Sequence, residues 1–164
     1  MGATGPAGSD GQGGVTTAGA DVAIVGSGTI TNPYLISSRT YTIGLWPELG
    51  GYVFWISVDG KHGLVAETQD QSDFVSWYEA QNVISNPGNH SLNGRKFRDW
   101  RIPTKHELNE MYLQRAAIGG FDPGWYLSIT EFDSVDMWMQ DFSDGVGFSI
   151  SKYNQDYVRA VRVF

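Results

Sequence analysis

From residue 39 onward, apolar side chains come in short runs broken by turn residues, and two stretches repeat them at helical spacing. The segments 39–43 and 51–58 are rich in β-branched and aromatic residues and predict strands. Asp59-Gly60 supplies a turn, and 62–67 returns as the partner strand. Phe74, Trp77, Tyr78, Gln81 and Ile84 then recur three to four apart behind Ser72, which predicts a helix capped by Ser72 and stopping before Asn86-Pro87-Gly88. Thr104 and Glu107 have the spacing of a capping box, in which hydroxyl and carboxylate each satisfy a free backbone N–H. They open a second helix with Leu108, Met111 and Tyr112 on its buried stripe, ended by Gly119-Gly120. Four more strands are predicted at 125–129, 137–142, 146–152 and 157–163. Strands, two helices, then strands make an α+β fold with short antiparallel sheets, because a parallel α/β sheet needs a helix between successive strands.

The front of the chain follows other rules. Gly2, Gly5, Gly8, Gly11 and Gly14 stand at every third position, with Pro6 in the X position of its triplet. This is the grammar of collagen, where only glycine fits at the axis of three wound chains; a flexible glycine-rich leader is the alternative. Four triplets are too few to hold three chains, so Met1 reads as a cut in a longer stalk. Residues 15–38 carry almost no charge and contain two β-like runs, 22–25 and 34–36, with turn chemistry between them. The division expected is therefore a collagen-like segment at 1–14, a β-rich neck at 15–38 and a compact domain at 39–164, assembled as a homotrimer.

A net charge of −7 argues against nucleic acid or an anionic membrane surface as partner. No apolar run is long enough to insert in a bilayer. The absence of cysteine removes disulfides, thiolate metal sites and thiol nucleophiles together. Val22 to Thr29 imitates the start of a dinucleotide fingerprint, but Asn32-Pro33 stand where a helix would have to begin. His62, His90 and His106 have no ligand spacing, and neither a nucleophile elbow nor a carboxylate pair can be placed, so no catalytic residue is expected and the chain reads as non-enzymatic.

Three groups are left as candidates for binding. Arg95, Lys96, Arg98, Arg101 and Lys105 form a basic cluster, either an anion patch or a solvated loop in which Arg101 is a structural ion-pair partner. Asp122, Glu131, Asp133, Asp136, Asp141 and Asp144 could offer calcium hard oxygen ligands, although without EF-hand spacing they read first as turn carboxylates and no cofactor is expected. Trp125, Tyr126, Trp138, Tyr153 and Tyr157 are candidates for a sugar platform, since aromatic faces stack on apolar sugar faces; part of the set must be core. Strand alternation puts Trp138 on one face with Gln140, and Asp141 follows as a further polar candidate.

Five segments in order, Gly50 to Phe54, His62 to Val65 with Asp70-Gln71, Asp99-Trp100-Arg101-Ile102-Pro103-Thr104 with Glu107-Leu108, Tyr126 to Glu131, and Val158 to Arg162, resemble the DUF1566 family, which includes the C-terminal domain of a collagen-like adhesin of Legionella. The resemblance covers about 50–164. It implies a C-type-lectin-like domain related to the formylglycine-generating enzyme and to receptor-binding proteins of phages. It also implies structural roles for Trp100, Arg101, Thr104, Glu107, Arg159 and Arg162, with Glu131 as buried partner of Arg159 or Arg162. The enzyme relatives need cysteines, which this chain lacks. The calcium-lectin triplets Glu-Pro-Asn and Gln-Pro-Asp have no counterpart beyond Asn86-Pro87-Gly88. The adhesin relative is associated with sulfated glycosaminoglycans, for which the 95–105 patch is the basic surface on offer. The function expected is a trimeric binding tip that recognises a glycan or another cell-surface receptor, extracellular on a bacterial surface or a phage virion. The alternative is a structural domain that registers and caps the fibre.

Overall fold

The computed structural model describes residues 22–25, 29–31, 33 and 35–164, so the glycine triplets of 1–14 lie outside the described residues. The chain divides into Met1–Arg39 and Thr40–Phe164. In the first unit, β1 (Val22–Val25) pairs antiparallel with β2 (Leu35–Ser38), Val22 opposite Ser38 and Val25 opposite Leu35. The two β-like runs expected at 22–25 and 34–36 thus form strands, the second beginning one residue later than its pattern suggested.

The second unit holds two sheets. One has the order β11 (Val161–Val163), β5 (Gly63–Ala66), β4 (Gly51–Ile56), β3 (Gly44–Trp46), all antiparallel. The other runs β6 (Ser72–Ser76), β10 (Gln155–Val158), β7 (Trp125–Glu131), β8 (Asp136–Asp141), β9 (Gly147–Ser151). Its β10–β7 pair is parallel and the rest antiparallel. The helices are α1 (Trp77–Ser85), α2 (Lys105–Leu113) and the short α3 (Arg115–Ile118). The class is α+β, with three helices instead of two.

Each departure from the sequence pattern has a physical cause. Ser72 to Ser76 is strand, not the first turn of a helix, because β10 supplies backbone partners: Gln155 faces Ser76 and Asp156 faces Val75. Val75 is buried and Phe74 points to solvent, so the helix begins only after Ser76. The segment 39–43 is not strand; Tyr41 is buried and its N–H donates to the Gly60 carbonyl at 2.7 Å, and pairing starts at Gly44. The stretch 157–163 divides at Arg159-Ala160, where the chain leaves one sheet for the other. The second helix breaks at Gln114, whose side-chain amide donates to the Phe54 carbonyl at 2.6 Å.

Apolar side chains collect in two clusters. Leu49, Val53, Val65, Ile84, Trp100, Leu127, Met137 and Val158 lie in the first; Phe54, Ala66, Leu108, Met111, Tyr126, Phe142 and Val161 lie in the second, under α2. The start of α2 is fixed as its sequence implied. Thr104 Oγ1 accepts from the Glu107 N–H at 3.2 Å, and Glu107 Oε2 accepts from the Thr104 N–H at 2.7 Å. Thr104→Ala should lower stability by about 1 kcal/mol in urea unfolding; an unchanged midpoint would show that Glu107 holds the helix start without the hydroxyl.

Candidate functional site

Between the first half of α2 and strands β7 and β8 lies a cleft of about 660 Å³, closed at one end by the turn 143–147. Its position follows from local chemistry. Arg101 grips Glu107 with both guanidinium nitrogens, at 2.8 and 2.6 Å. Burial would raise the Glu107 pKa, but hydrogen bonds from Arg101 and Thr104 outweigh this and hold the carboxyl below its ordinary value. On the sheet side, β7 shifts register between Leu127 and Glu131, and Thr130 Oγ1 accepts from the Lys105 N–H at 2.9 Å. A strand irregularity thereby satisfies one of the free N–H groups at the helix start.

The opposite end is built by acidic side chains serving their own turns. Asp141 Oδ1 accepts from Ser143 N–H at 2.8 Å and its hydroxyl at 2.6 Å, and Asp144 Oδ1 accepts from Val146 N–H at 2.9 Å. Gly145 sits in the turn with φ +86°, where a Cβ would overlap the Tyr112 ring. The Gly145 carbonyl accepts from Gln140 Nε2 at 3.1 Å, and the same nitrogen donates to Asn109 Oδ1 at 3.0 Å. Trp138 lies two residues back on the same side of β8, with the Lys105 ammonium 3.0 Å from its ring centroid and Phe132 edge-on at 5.4 Å. Ser128 Oγ donates to the Trp138 carbonyl at 2.7 Å, holding the two strands together at the cleft floor. Among the described residues lining the cleft there is no Asp or Glu; Lys105 and His106 are its ionisable groups.

The remaining aromatic candidates do not converge here. Trp125 pairs in register with Asp141, and Tyr126 with Gln140, which puts Trp125 and Asp141 on the sheet face opposite Gln140; the Trp125 ring neighbours Phe148 at 6.1 Å. Tyr157 stacks on buried Tyr126 at 5.2 Å, and exposed Tyr153 lies against Tyr78 at 5.2 Å on α1. The single platform therefore resolves into separate places, and of the five rings Trp138 alone lines the cleft. Arg95, Lys96 and Arg98 are exposed on a different loop, where Arg98 donates to the Arg95 carbonyl at 2.8 Å. Arg101 is the structural ion-pair partner, and Lys105 belongs to the cleft.

The expected pairing of Glu131 with Arg159 or Arg162 is wrong. Glu131 binds buried Lys152 at 2.5 Å, whereas Arg159 binds Asp70 at 2.6 Å and Arg162 binds Asp99 at 2.9 Å. Both arginines are buried and structural, as is Trp100, whose Nε1 donates to the Gly94 carbonyl at 2.8 Å. The acidic stretch 122–144 does not gather around a cation: among the described residues no three His, Cys, Asp or Glu side chains converge. One buried side-chain oxygen among the described residues lacks a partner, Asp156 Oδ2 on β10, and burial pushes that carboxyl up to about 6. Asn109, Ser128, Thr130 and His106 escaped the sequence reading, since two distant elements bring them together and none stands at a motif spacing.

No helix among the described residues is long and apolar enough to cross a membrane. No curated protein matches the chain. The profile of the Lcl C-terminal domain matches residues 56–162, a span that takes in β5 to β10, all three helices, the cleft and both buried arginine pairs. The chain therefore belongs to the Lcl C-terminal domain family, that of the C-terminal domain of the Legionella collagen-like protein.

Proposed function

We propose that Thr40–Phe164 is a non-enzymatic, C-type-lectin-like binding domain that takes a glycan of a cell surface in the α2–β8 cleft, and that three copies, with the glycine triplets as part of their stalk, form an extracellular tip on a bacterium or a virion. The carrying observation is the cleft's furniture: two side-chain amides, the Thr130 hydroxyl and the Trp138 ring around a space the size of a small ligand. Hydroxyls and amides meet sugar hydroxyls, and an indole meets the apolar face of the ring. Lys105 covers Trp138, but an exposed cation–π contact is worth only about 0.5–1 kcal/mol, so a sugar displaces it at small cost. Three such sites on one stalk gain avidity from their shared axis, and a shallow site suffices.

The full chain should sediment as a trimer and bind members of a glycan array, and Trp138→Ala should weaken that binding at least tenfold while leaving the assembly intact. A blank array together with no binding to cells would overturn the reading. Binding that survives Trp138→Ala but is lost in Arg95, Lys96 and Arg98 variants would move the site to the basic loop.

A further inference from the structure

We infer that the ligand is an uncharged linear oligosaccharide, which leaves the α2–β8 cleft across the first turn of α2 and stacks a further sugar on Trp55; this rests on the glycan reading above. A second cleft, of about 440 Å³, lies on the other flank of α2, against β4, β5 and β11. Thr104 and His106 line both, so the two spaces adjoin at the start of the helix. Across the sheet side of the second cleft stand Trp55 of β4, Leu64 of β5 and Val163 of β11, each in register with its neighbour and therefore on one face. Trp55 and Val163 are half-exposed, and His62, His106 and Glu110 supply polar groups around them.

The indole nitrogens separate structural rings from those left open to a ligand. Trp46, Trp77 and Trp100 donate to the carbonyls of Thr42, Ser128 and Gly94. Trp55, Trp125 and Trp138 have no such partner among the described residues, and two of these three line the adjoining clefts. An indole flanked by aliphatic side chains suits the apolar face of a pyranose, and its free N–H meets a hydroxyl. The two rings lie on opposite flanks of a helix whose width is about 10–12 Å, so a single sugar cannot touch both and a chain can. The second contact is then intramolecular and adds affinity without a new encounter. Charge sets the class of chain. Glu107 is neutralised by Arg101, but Glu110 has no basic partner, and no Lys or Arg stands among the described residues lining the second cleft, which turns away sulfated and uronate chains. A peptide gains less there, because β5 is already paired with β4 and β11 and offers it no strand edge.

The test titrates the full chain calorimetrically with soluble mono- to hexasaccharide ladders of β-1,4-glucan, β-1,4-mannan and chitin, with the length series of any glycan the array binds, and with hyaluronan oligosaccharides as the charged comparison. On an uncharged ladder the hexasaccharide should bind at least tenfold tighter than the disaccharide. Trp55→Ala should erase that gain and leave the disaccharide affinity unchanged, Trp55→Phe should keep part of the gain, and Trp138→Ala should weaken every length. Equal affinity at all lengths, or a gain that Trp55→Ala leaves intact, would sink the chain inference and leave the glycan reading standing. An array that binds only branched or single terminal sugars, or a larger length gain on hyaluronan than on the uncharged ladders, would do the same. Loss of the trimer in Trp55→Ala with sugar affinity unchanged would assign this face to a second copy instead. Binding to no sugar on the ladders or the array would sink both readings.

Discussion

Asp70→Ala should cost about 3–5 kcal/mol of unfolding free energy at neutral pH, a fall in melting temperature on the order of 10–20 °C for a unit of this size. Arg159 is fully buried, and its guanidinium lies 3.9 Å over the Phe121 ring. Its Nε donates to Asp70 Oδ1 at 2.6 Å, and its two terminal nitrogens donate to the carbonyls of Glu67, Gly119 and Gly120. The other Asp70 oxygen accepts from the Tyr126 hydroxyl at 2.6 Å, and burial with that carboxylate pushes the phenol's pKa well up. One carboxylate is thus the countercharge for an arginine that joins β5, the end of α3 and the crossover from β10 to β11. Removing it leaves a cation and a hydroxyl in the interior, which costs more than the pair itself is worth. Asp70→Asn retains an acceptor without the charge and should fall between the two. Urea unfolding decides the matter: a loss under about 1 kcal/mol for Asp70→Ala would show that the three carbonyls suffice to hold Arg159.

What could be read along the chain, and what could not, follows from how far apart the partners lie. The Thr104–Glu107 box was legible because both members sit within one turn. The β4 and β5 hairpin was legible because Asp59-Gly60 lies between strands that pair with each other. Strand β6 was not, since its apolar residues continue smoothly into α1 and the partner that makes it a strand arrives some eighty residues later as β10. The same separation hid the arginine pairs. Asp70 and Asp99 are ordinary loop carboxylates until Arg159 and Arg162 fold back on them, while Glu131, two residues from Ile129 on an exposed strand end, finds Lys152 instead. In the cleft, alternation along β8 put Trp138 beside Gln140 correctly, because that is a property of one strand. Asn109 could not be found this way; its meaning depends on a helix packing over a sheet.

Glu67→Gln should destabilise the domain by about 3 kcal/mol at pH 7, and the deficit should shrink in acid. Glu67 is fully buried at the end of β5. Its carboxylate accepts from the Thr68 N–H at 2.8 Å and the Ser91 N–H at 3.2 Å and is hydrogen-bonded to His90 Nδ1 at 3.0 Å, and the His90 ring reaches the Ile84 carbonyl with Nε2 at 2.6 Å. A Cβ at Gly94 would overlap the same carboxylate, so the loop that carries Arg95, Lys96 and Arg98 is folded directly onto it. A glutamine has one oxygen where two are in use, and its NH₂ would face donors. Burial alone would raise the Glu67 pKa; hydrogen bonds from His90, Thr68 and Ser91 outweigh it and hold the group below its ordinary 4.5. A carboxyl depressed in the folded state binds its proton more weakly there than in the unfolded chain. The stability it contributes is therefore complete above about 4.5, the unfolded value, and is lost as pH falls through the lower folded value. Wild type and Glu67→Gln should accordingly differ most at pH 7, less at pH 4, and least at the lowest pH where the domain still folds. Urea unfolding at those pH values reads this directly, and a deficit that stays constant with pH would mean that the loop rests on the shape of the Glu67 side chain and not on its charge.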